Sequence, residues 1–134
     1  MISLLFWLYV ANCSVLIIHQ MDSAYWKEWN LFSFMISGKG EITDIRNFLL
    51  FNVPLVPLML VGTLWLDGMT TRGLVMSTVV AGIGLFCFSF HLYHLQKGRE
   101  EFNVMFSKVL IVSTLLLSVP QAGLSIYYFA VMSG

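Results

Sequence analysis

The chain has 134 residues, of which 58% are hydrophobic and 10% charged, and its seven basic and seven acidic side chains cancel. Soluble domains carry about 25% charged residues, so this composition leaves too little polar surface to cover a globule in water. The mean hydropathy of +0.83 agrees with that conclusion. A soluble enzyme, a disordered tail and a nucleic-acid-binding protein are excluded, the last because no basic surplus exists to contact a phosphate backbone. The chain is predicted to be an integral membrane protein, with the lipid bilayer as its first partner.

Four apolar runs are long enough to cross about 30 Å of hydrocarbon, which requires roughly 20 helical residues. They cover about 2–19, 47–66, 74–95 and 104–131. Backbone groups inside a bilayer have no water to bond, and the runs lack the alternation of barrel strands, so helices are expected. We therefore predict an all-α fold, in which a single transmembrane domain over 1–134 forms a four-helix bundle.

The longest connection follows the first run and mixes aromatic with charged residues between Tyr25 and Phe34. This composition is typical of an amphipathic segment at the membrane interface, anchored here by Trp26 and Trp29. The alternative is a docking surface for a larger membrane assembly, of which the chain would be a structural subunit.

Basic residues set the expected orientation. Arg72 lies in the connection between the second and third runs, and the other six lie on the opposite side, namely Lys27, Lys39, Arg46, Lys97, Arg99 and Lys108. By the positive-inside rule, this asymmetry predicts that the first and third connections are cytoplasmic. Both termini are then expected outside the inner membrane.

All three histidines are expected at one membrane face, because the first and third helices run in the same direction and end there. His19 closes the first run, and His91 and His94 close the third. Ionisable residues at such a depth are rare and usually mark function. His19 and Asp22 are three residues apart, so both can face the same neighbouring helix. Glu101 lies just before the fourth run, on the same side of the membrane.

Imidazoles grouped with carboxylates are the ligand types of a metal site in a helix-bundle core. The predicted metal ligands are His19, Asp22, His91, His94 and Glu101, and they suit zinc, iron or manganese. Two further carboxylates, Glu100 and Glu28, are general-base candidates. Haem b held by two histidines is a second cofactor hypothesis.

Such a site makes the chain a metalloprotein of the cytoplasmic membrane face. As an enzyme it would act on a lipophilic substrate, because a bundle of this size has no soluble domain to hold a polar one. The alternative is an ion or proton transporter or channel, which at this length requires a homo-oligomer. Its polar track across the membrane would be thin, consisting of Asn12, Ser14, Ser89 and Gln121. If the residues form no site, the histidines are hydrated at the membrane interface and the charged residues lie in solvated loops.

The chain resembles a group of small, functionally uncharacterised bacterial membrane proteins with four spans. The similarity covers most of the chain and rests on three short motifs, which are His19-x-x-Asp22 followed by Glu28-Trp29, Asn52-x-Pro54, and Glu101-Phe102-Asn103. The resemblance implies a four-span fold and supports the polar site, and it names no reaction.

Overall fold

The computed structural model describes residues 2–30, 45–98 and 103–133. Within these ranges it contains four α-helices, α1 (Ile2–Tyr25), α2 (Arg46–Asp67), α3 (Thr71–Gln96) and α4 (Met105–Ser133). The shortest, α2, has 22 residues, about 33 Å at a rise of 1.5 Å per residue. Each helix is long and apolar enough to cross a membrane. The prediction of an all-α four-helix bundle is therefore confirmed.

Helices α1 and α3 run parallel. A Cβ atom at Gly84 of α3 would lie 3.4 Å from the side-chain oxygen of Asn12 on α1. Two helical turns later on both helices, the rings of His19 and His91 contact each other. Because both positions advance together, the C-terminal ends of α1 and α3 meet on the same side of the bundle, as the span count predicts.

A tight turn joins α2 to α3. Thr70 caps α3, because its side-chain oxygen accepts a hydrogen bond from the backbone N–H of Gly73 at 3.1 Å. A Cβ atom at Gly73 would lie 2.5 Å from the carbonyl group of Trp65, so only glycine fits at this crossing. The turn therefore holds the start of α3 directly against the end of α2.

Buried positions recur at alternating steps of three and four residues, the spacing of a left-handed helix bundle. Of the buried residues on α3, seven follow this spacing, namely Gly73, Ser77, Val80, Gly84, Cys87, His91 and His94. On α1 the same spacing buries Leu5, Tyr9, Asn12, Leu16, His19 and Ser23. The outer faces carry exposed apolar side chains, as contact with lipid requires. The histidines of both helices thus lie on the stripes that form the core.

The inward stripe of α4 is mostly polar and includes Ser107, Thr114, Ser118, Gln121 and Ser125, all buried. Asn12 of α1 donates from Nδ2 to Oγ of Ser118 at 3.0 Å and to Oε1 of Gln121 at 2.8 Å. Gln121 in turn donates from Nε2 to the carbonyl of Ser77 on α3 at 2.8 Å. Polar pairs between membrane helices contribute on average about 0.6 kcal/mol each. These bonds therefore stabilise the packing of α1, α3 and α4 against one another.

Ser14 and Ser89, which the sequence suggests as parts of a polar track, lie outside this network. Each hydroxyl donates to a carbonyl four residues earlier in its own helix, and both side chains are exposed on the outer face. The buried polar side chains of α4 form a polar line through the bundle. Of the suggested residues, Gln121 belongs to this line and Asn12 of α1 donates a hydrogen bond to it.

Helix α1 continues to Tyr25, beyond the expected end of the first span near His19. The start of the predicted interfacial segment folds against the bundle, because the half-buried Trp29 has its ring centroid 5.4 Å from that of Phe48 on α2. Residues 31–34 of that segment lie outside the described ranges, so its amphipathic character there stays a prediction.

Candidate metal centre

A turn at the end of α1 directs the chain back toward the bundle. The backbone N–H of Glu28 donates to the carbonyl of Ser23 at 3.0 Å, and that of Lys27 donates to the carbonyl of Ala24 at 3.4 Å. Lys27 has the left-handed conformation, with φ of 52°. This is a Schellman motif, which usually has glycine at the left-handed position and an apolar contact between the outer residues. Here that contact is polar, because the Ser23 hydroxyl donates to Oε2 of Glu28.

Helix α3 presents His91 to the same carboxylate. Nε2 of His91 lies 3.2 Å from Oε2 of Glu28, and both side chains are buried. On the other side of the ring, Nδ1 lies 2.7 Å from the carbonyl oxygen of Cys87. Because a carbonyl only accepts, Nδ1 carries a proton and donates it. Nε2 of a neutral ring then faces the carboxylate with a lone pair, and two acceptors at this distance need a proton or a cation between them.

His19 completes the cluster from α1. Its ring centroid lies 4.7 Å from that of His91, edge to face, and its Nε2 lies 3.5 Å from Oγ of Ser23. One ligand atom from each of His19, Glu28 and His91 lies within 4.8 Å of the other two. Two ligands on a tetrahedral zinc ion are about 3.3 Å apart, given bonds of about 2.0–2.1 Å. The separations in the cluster, at most 4.8 Å, are thus longer than those around a bound zinc ion, so the side chains would have to close in on an ion.

Two buried atoms of the cluster lack a hydrogen-bond partner within the described part of the chain, Oε1 of Glu28 and Nδ1 of His19. Glu28 is 6% exposed and His19 is 3% exposed. A buried polar atom without a partner costs about 1–3 kcal/mol, so such atoms call for a ligand. Two imidazoles and one carboxylate are N and O donors of the kind that zinc, iron and manganese accept. The cluster therefore fits a divalent metal ion.

The other predicted ligands are not members of this three-residue group or lie outside the described residues. Asp22 accepts a hydrogen bond from the hydroxyl of Ser107 on α4 at 2.6 Å. His94 is buried on the next turn of α3, with its ring centroid 4.5 Å from that of Phe90. Glu100 and Glu101 fall among the residues that the structure does not describe, so their roles stay predictions.

Glu28, in the turn after α1, belongs to the cluster. It is expected only as a general-base candidate, whereas the structure brings its carboxylate into the same group as two histidines. Helical spacing from His19 cannot reveal this position, because the chain leaves the helix at Tyr25. The sequence feature that could have indicated it is the separation of only five residues between Ser23 and Glu28 across the end of α1.

A cavity of about 460 Å³ lies beside the cluster, between α1, α2 and α3. Its polar wall is formed mainly by His19, Ser23, Glu28 and His91. Its other walls are apolar and largely aromatic, and they include Trp29, Phe48, Phe51, Leu55, Phe86 and Phe90. A molecule that reaches the cluster through this cavity therefore contacts mostly hydrocarbon and aromatic surface.

Comparison with known proteins gives a family and no activity. No curated protein and no solved structure matches the chain at a significant level. One family model matches residues 5–128, which agrees with the resemblance to an uncharacterised family noted from the sequence. The match includes all three residues of the cluster. The chain belongs to a family of unknown function, DUF6713.

Proposed function

We propose that this protein is a membrane metalloprotein that binds one divalent metal ion through His19, Glu28 and His91. The observation that carries the proposal is that ligand atoms of these three buried side chains lie within 4.8 Å of one another, although His91 is 63 positions from Glu28 in the chain. The unpartnered Oε1 of Glu28 and Nδ1 of His19 support it, because burial without a ligand would be costly.

We further propose that the protein is an enzyme acting on a lipophilic substrate. Two imidazoles and one carboxylate form the protein ligand set of some catalytic zinc sites and of non-haem iron oxygenases, both of which keep positions open for substrate or solvent. The ion would supply Lewis-acid or redox chemistry at the polar end of the cavity. The chain itself binds the substrate against aromatic walls and excludes water from the site.

The proposal concerns a metal ion and not haem. The rings of His19 and His91 contact each other edge to face, with centroids 4.7 Å apart. A porphyrin held by both histidines would have to lie between the two rings, so haem b would require the helices to separate.

We place the site at the cytoplasmic face of the membrane. The support is the asymmetry of basic residues, because Lys27, Arg46, Lys97 and Lys108 all belong to the end of the bundle that carries the cluster. Such an excess is typical of cytoplasmic connections. Labelling of cysteines introduced at Lys97 and, for comparison, at Arg72 in intact cells would test the orientation.

Elemental analysis of protein purified without chelator tests the metal site directly. We expect nearly one zinc, iron or manganese ion per chain, and its loss in His19→Ala, Glu28→Ala and His91→Ala. Two control variants, His94→Ala and Asp22→Asn, should retain the metal because neither residue belongs to the cluster. Retention of metal in His91→Ala at the wild-type level would overturn the proposal.

A second candidate function is ion or proton transport by a homo-oligomer. The observation that favours it is the series of buried polar side chains on α4. It begins at Ser107 beside Asp22, is interrupted by the buried Leu110 and Ile111, and runs from Thr114 to Ser125 beside Ser77. Proton flux into proteoliposomes that disappears in both His91→Ala and Gln121→Leu would support transport. Absence of flux in the wild-type protein, with metal bound, would favour the enzyme.

A further inference from the structure

We propose that the cavity beside the cluster binds a single-chain amphiphile from the bilayer, with its oxygen-bearing head at the His19–Glu28–His91 cluster and its hydrocarbon chain toward the middle of the membrane. The inference deepens the proposed function and rests on it, because it identifies the class of substrate that the same site takes.

The first support is the gradient of polarity along the cavity. Its polar residues lie near the ends of α1 and α3, where the helices approach the membrane surface. Ile83 and Leu55 form part of the apolar wall further from that end. At 1.5 Å per residue, Ile83 is about 12 Å deeper along α3 than His91, the length of roughly ten methylene groups. A lipid molecule has the same gradient, with its head at the surface and its chain inside.

The second support is the position of two phenylalanines that border both the cavity and the lipid. Phe51 on α2 and Phe86 on α3 line the cavity, yet they are 64% and 55% exposed. Side chains that line an internal space while facing outward mark its mouth. The mouth therefore lies between α2 and α3 on the lipid side, so that an amphiphile can enter without leaving the membrane.

The third support is size. A cavity of 150 Å³ lined by apolar side chains holds one benzene molecule, so about 460 Å³ corresponds to roughly three such cavities. This space suits one hydrocarbon chain of about 10 to 16 carbons with a small head. It is too small for the two chains of a membrane phospholipid. At the polar end, a head that carries a hydroxyl or carbonyl group would meet the His19–Glu28–His91 cluster itself, whose side chains line the cavity.

Photolabelling tests the proposal with a defined probe, a sixteen-carbon alcohol that carries a diazirine in the middle of its chain. The full-length, metal-loaded protein is reconstituted in phospholipid nanodiscs, irradiated with the probe and digested for peptide mass spectrometry. We expect labels on the cavity walls at Leu55, Ile83 and Phe86, and competition by unlabelled tetradecanol. Added two-chain phospholipid should not compete. Labels spread evenly over outward-facing residues such as Leu64 and Leu116 would overturn the proposal.

A cavity-filling substitution provides the matched variant. Ile83→Trp replaces an aliphatic side chain with a larger indole ring in the cavity and should reduce labelling at least fivefold, while metal content stays at the wild-type level. Val79→Trp, one turn earlier on the exposed face of α3, should leave labelling unchanged. If Ile83→Trp fails to fold, Leu55→Phe provides the same test from α2. Equal labelling of the wild type and a folded cavity-filled variant would contradict the proposal.

The two proposals fail in different ways. Metal at full occupancy without specific labelling would leave the metal site in place and overturn the amphiphile. Specific labelling of the cavity in a protein that binds no metal would overturn the metalloprotein, and with it the assignment of the amphiphile as a substrate.

Discussion

Oε2 of Glu28 lies 3.2 Å from Nε2 of His91, although the two residues are 63 positions apart in the chain. Three supports help to hold the two side chains in place. The carbonyl of Cys87 accepts a hydrogen bond from His91, the hydroxyl of Ser23 donates one to Glu28, and Lys27 has a left-handed conformation in the turn before Glu28. Metal-binding side chains generally depend on such partners for their orientation. Two of the supports can be changed without removing a residue of the cluster.

The Ser23 hydroxyl is expected to orient Glu28. Ser23→Ala removes the hydrogen bond to Oε2, and loss of a partner of this kind lowers metal affinity by about 10- to 100-fold. Competition with a chromogenic chelator would measure the change. Ser14→Ala is the matched control, because Ser14 lies on the exposed face of α1 and bonds only its own helix in the described structure. Equal affinities of the two variants would show that Glu28 needs no such support.

The turn at Lys27 is expected to tolerate glycine and to reject a β-branched residue. A left-handed conformation costs an L-residue about 1–2 kcal/mol, so Lys27→Gly should preserve metal binding and stabilise the fold by up to about 1 kcal/mol. Lys27→Val should weaken metal binding, because a β-branched residue strongly resists positive φ. Thermal unfolding in detergent and metal titration measure the two effects. Lys97→Gly, at φ of −83°, is the control and should not be stabilised.

Removal of the metal is expected to destabilise the wild-type protein. A ligand that binds only the folded state at 100 times its dissociation constant contributes about 2.7 kcal/mol. Chelation should therefore lower Tm. The Tm of His91→Ala should not respond to chelator. A metal-loaded wild type whose Tm is unchanged on chelation would contradict the prediction.

Close approach of α3 and α4 is expected to depend on Gly84. A Cβ atom there would lie 2.0 Å from Oγ of Ser118 and would displace the hydroxyl that accepts from Asn12. Gly84→Ala should cost about 1–3 kcal/mol, as overpacking of a core does. Gly82→Ala, whose Cβ meets no atom within 4 Å, should be neutral or stabilising by up to about 1 kcal/mol. Unfolding in detergent compares the two, and equal stabilities would show that the helices can separate without cost.

The four helices and the meeting of two histidines can be predicted from the sequence. The helices follow from apolar runs of membrane length, because a bilayer satisfies no exposed backbone group. His19 and His91 close the first and third runs. Successive spans cross the membrane in opposite directions, so the first and third helices run in the same direction and end on the same side. The same reasoning predicts the depth of His94 in the membrane but not the direction of its side chain. In the structure the ring of His94 packs near Phe90.

The sequence pattern does not predict the polar line along α4. Asn12 and Gln121 lie within apolar runs, as do Ser14 and Ser89, so the composition of the runs does not show which of the four side chains are buried. Only the packing of α1, α3 and α4 separates them, because it buries Asn12 and Gln121 against each other and leaves the two serines outside.

The sequence by itself determined that the chain spans a membrane as a helical bundle and that His19 and His91 lie at one end of it, because hydropathy and run length act along the chain. The tertiary structure decided that Glu28 joins them, that Asp22 pairs with Ser107, and that a cavity opens between α1, α2 and α3. These outcomes depend on the rotation of each helix about its axis and on one left-handed residue at the end of α1. Contacts among distant segments set both, and no local pattern encodes such contacts.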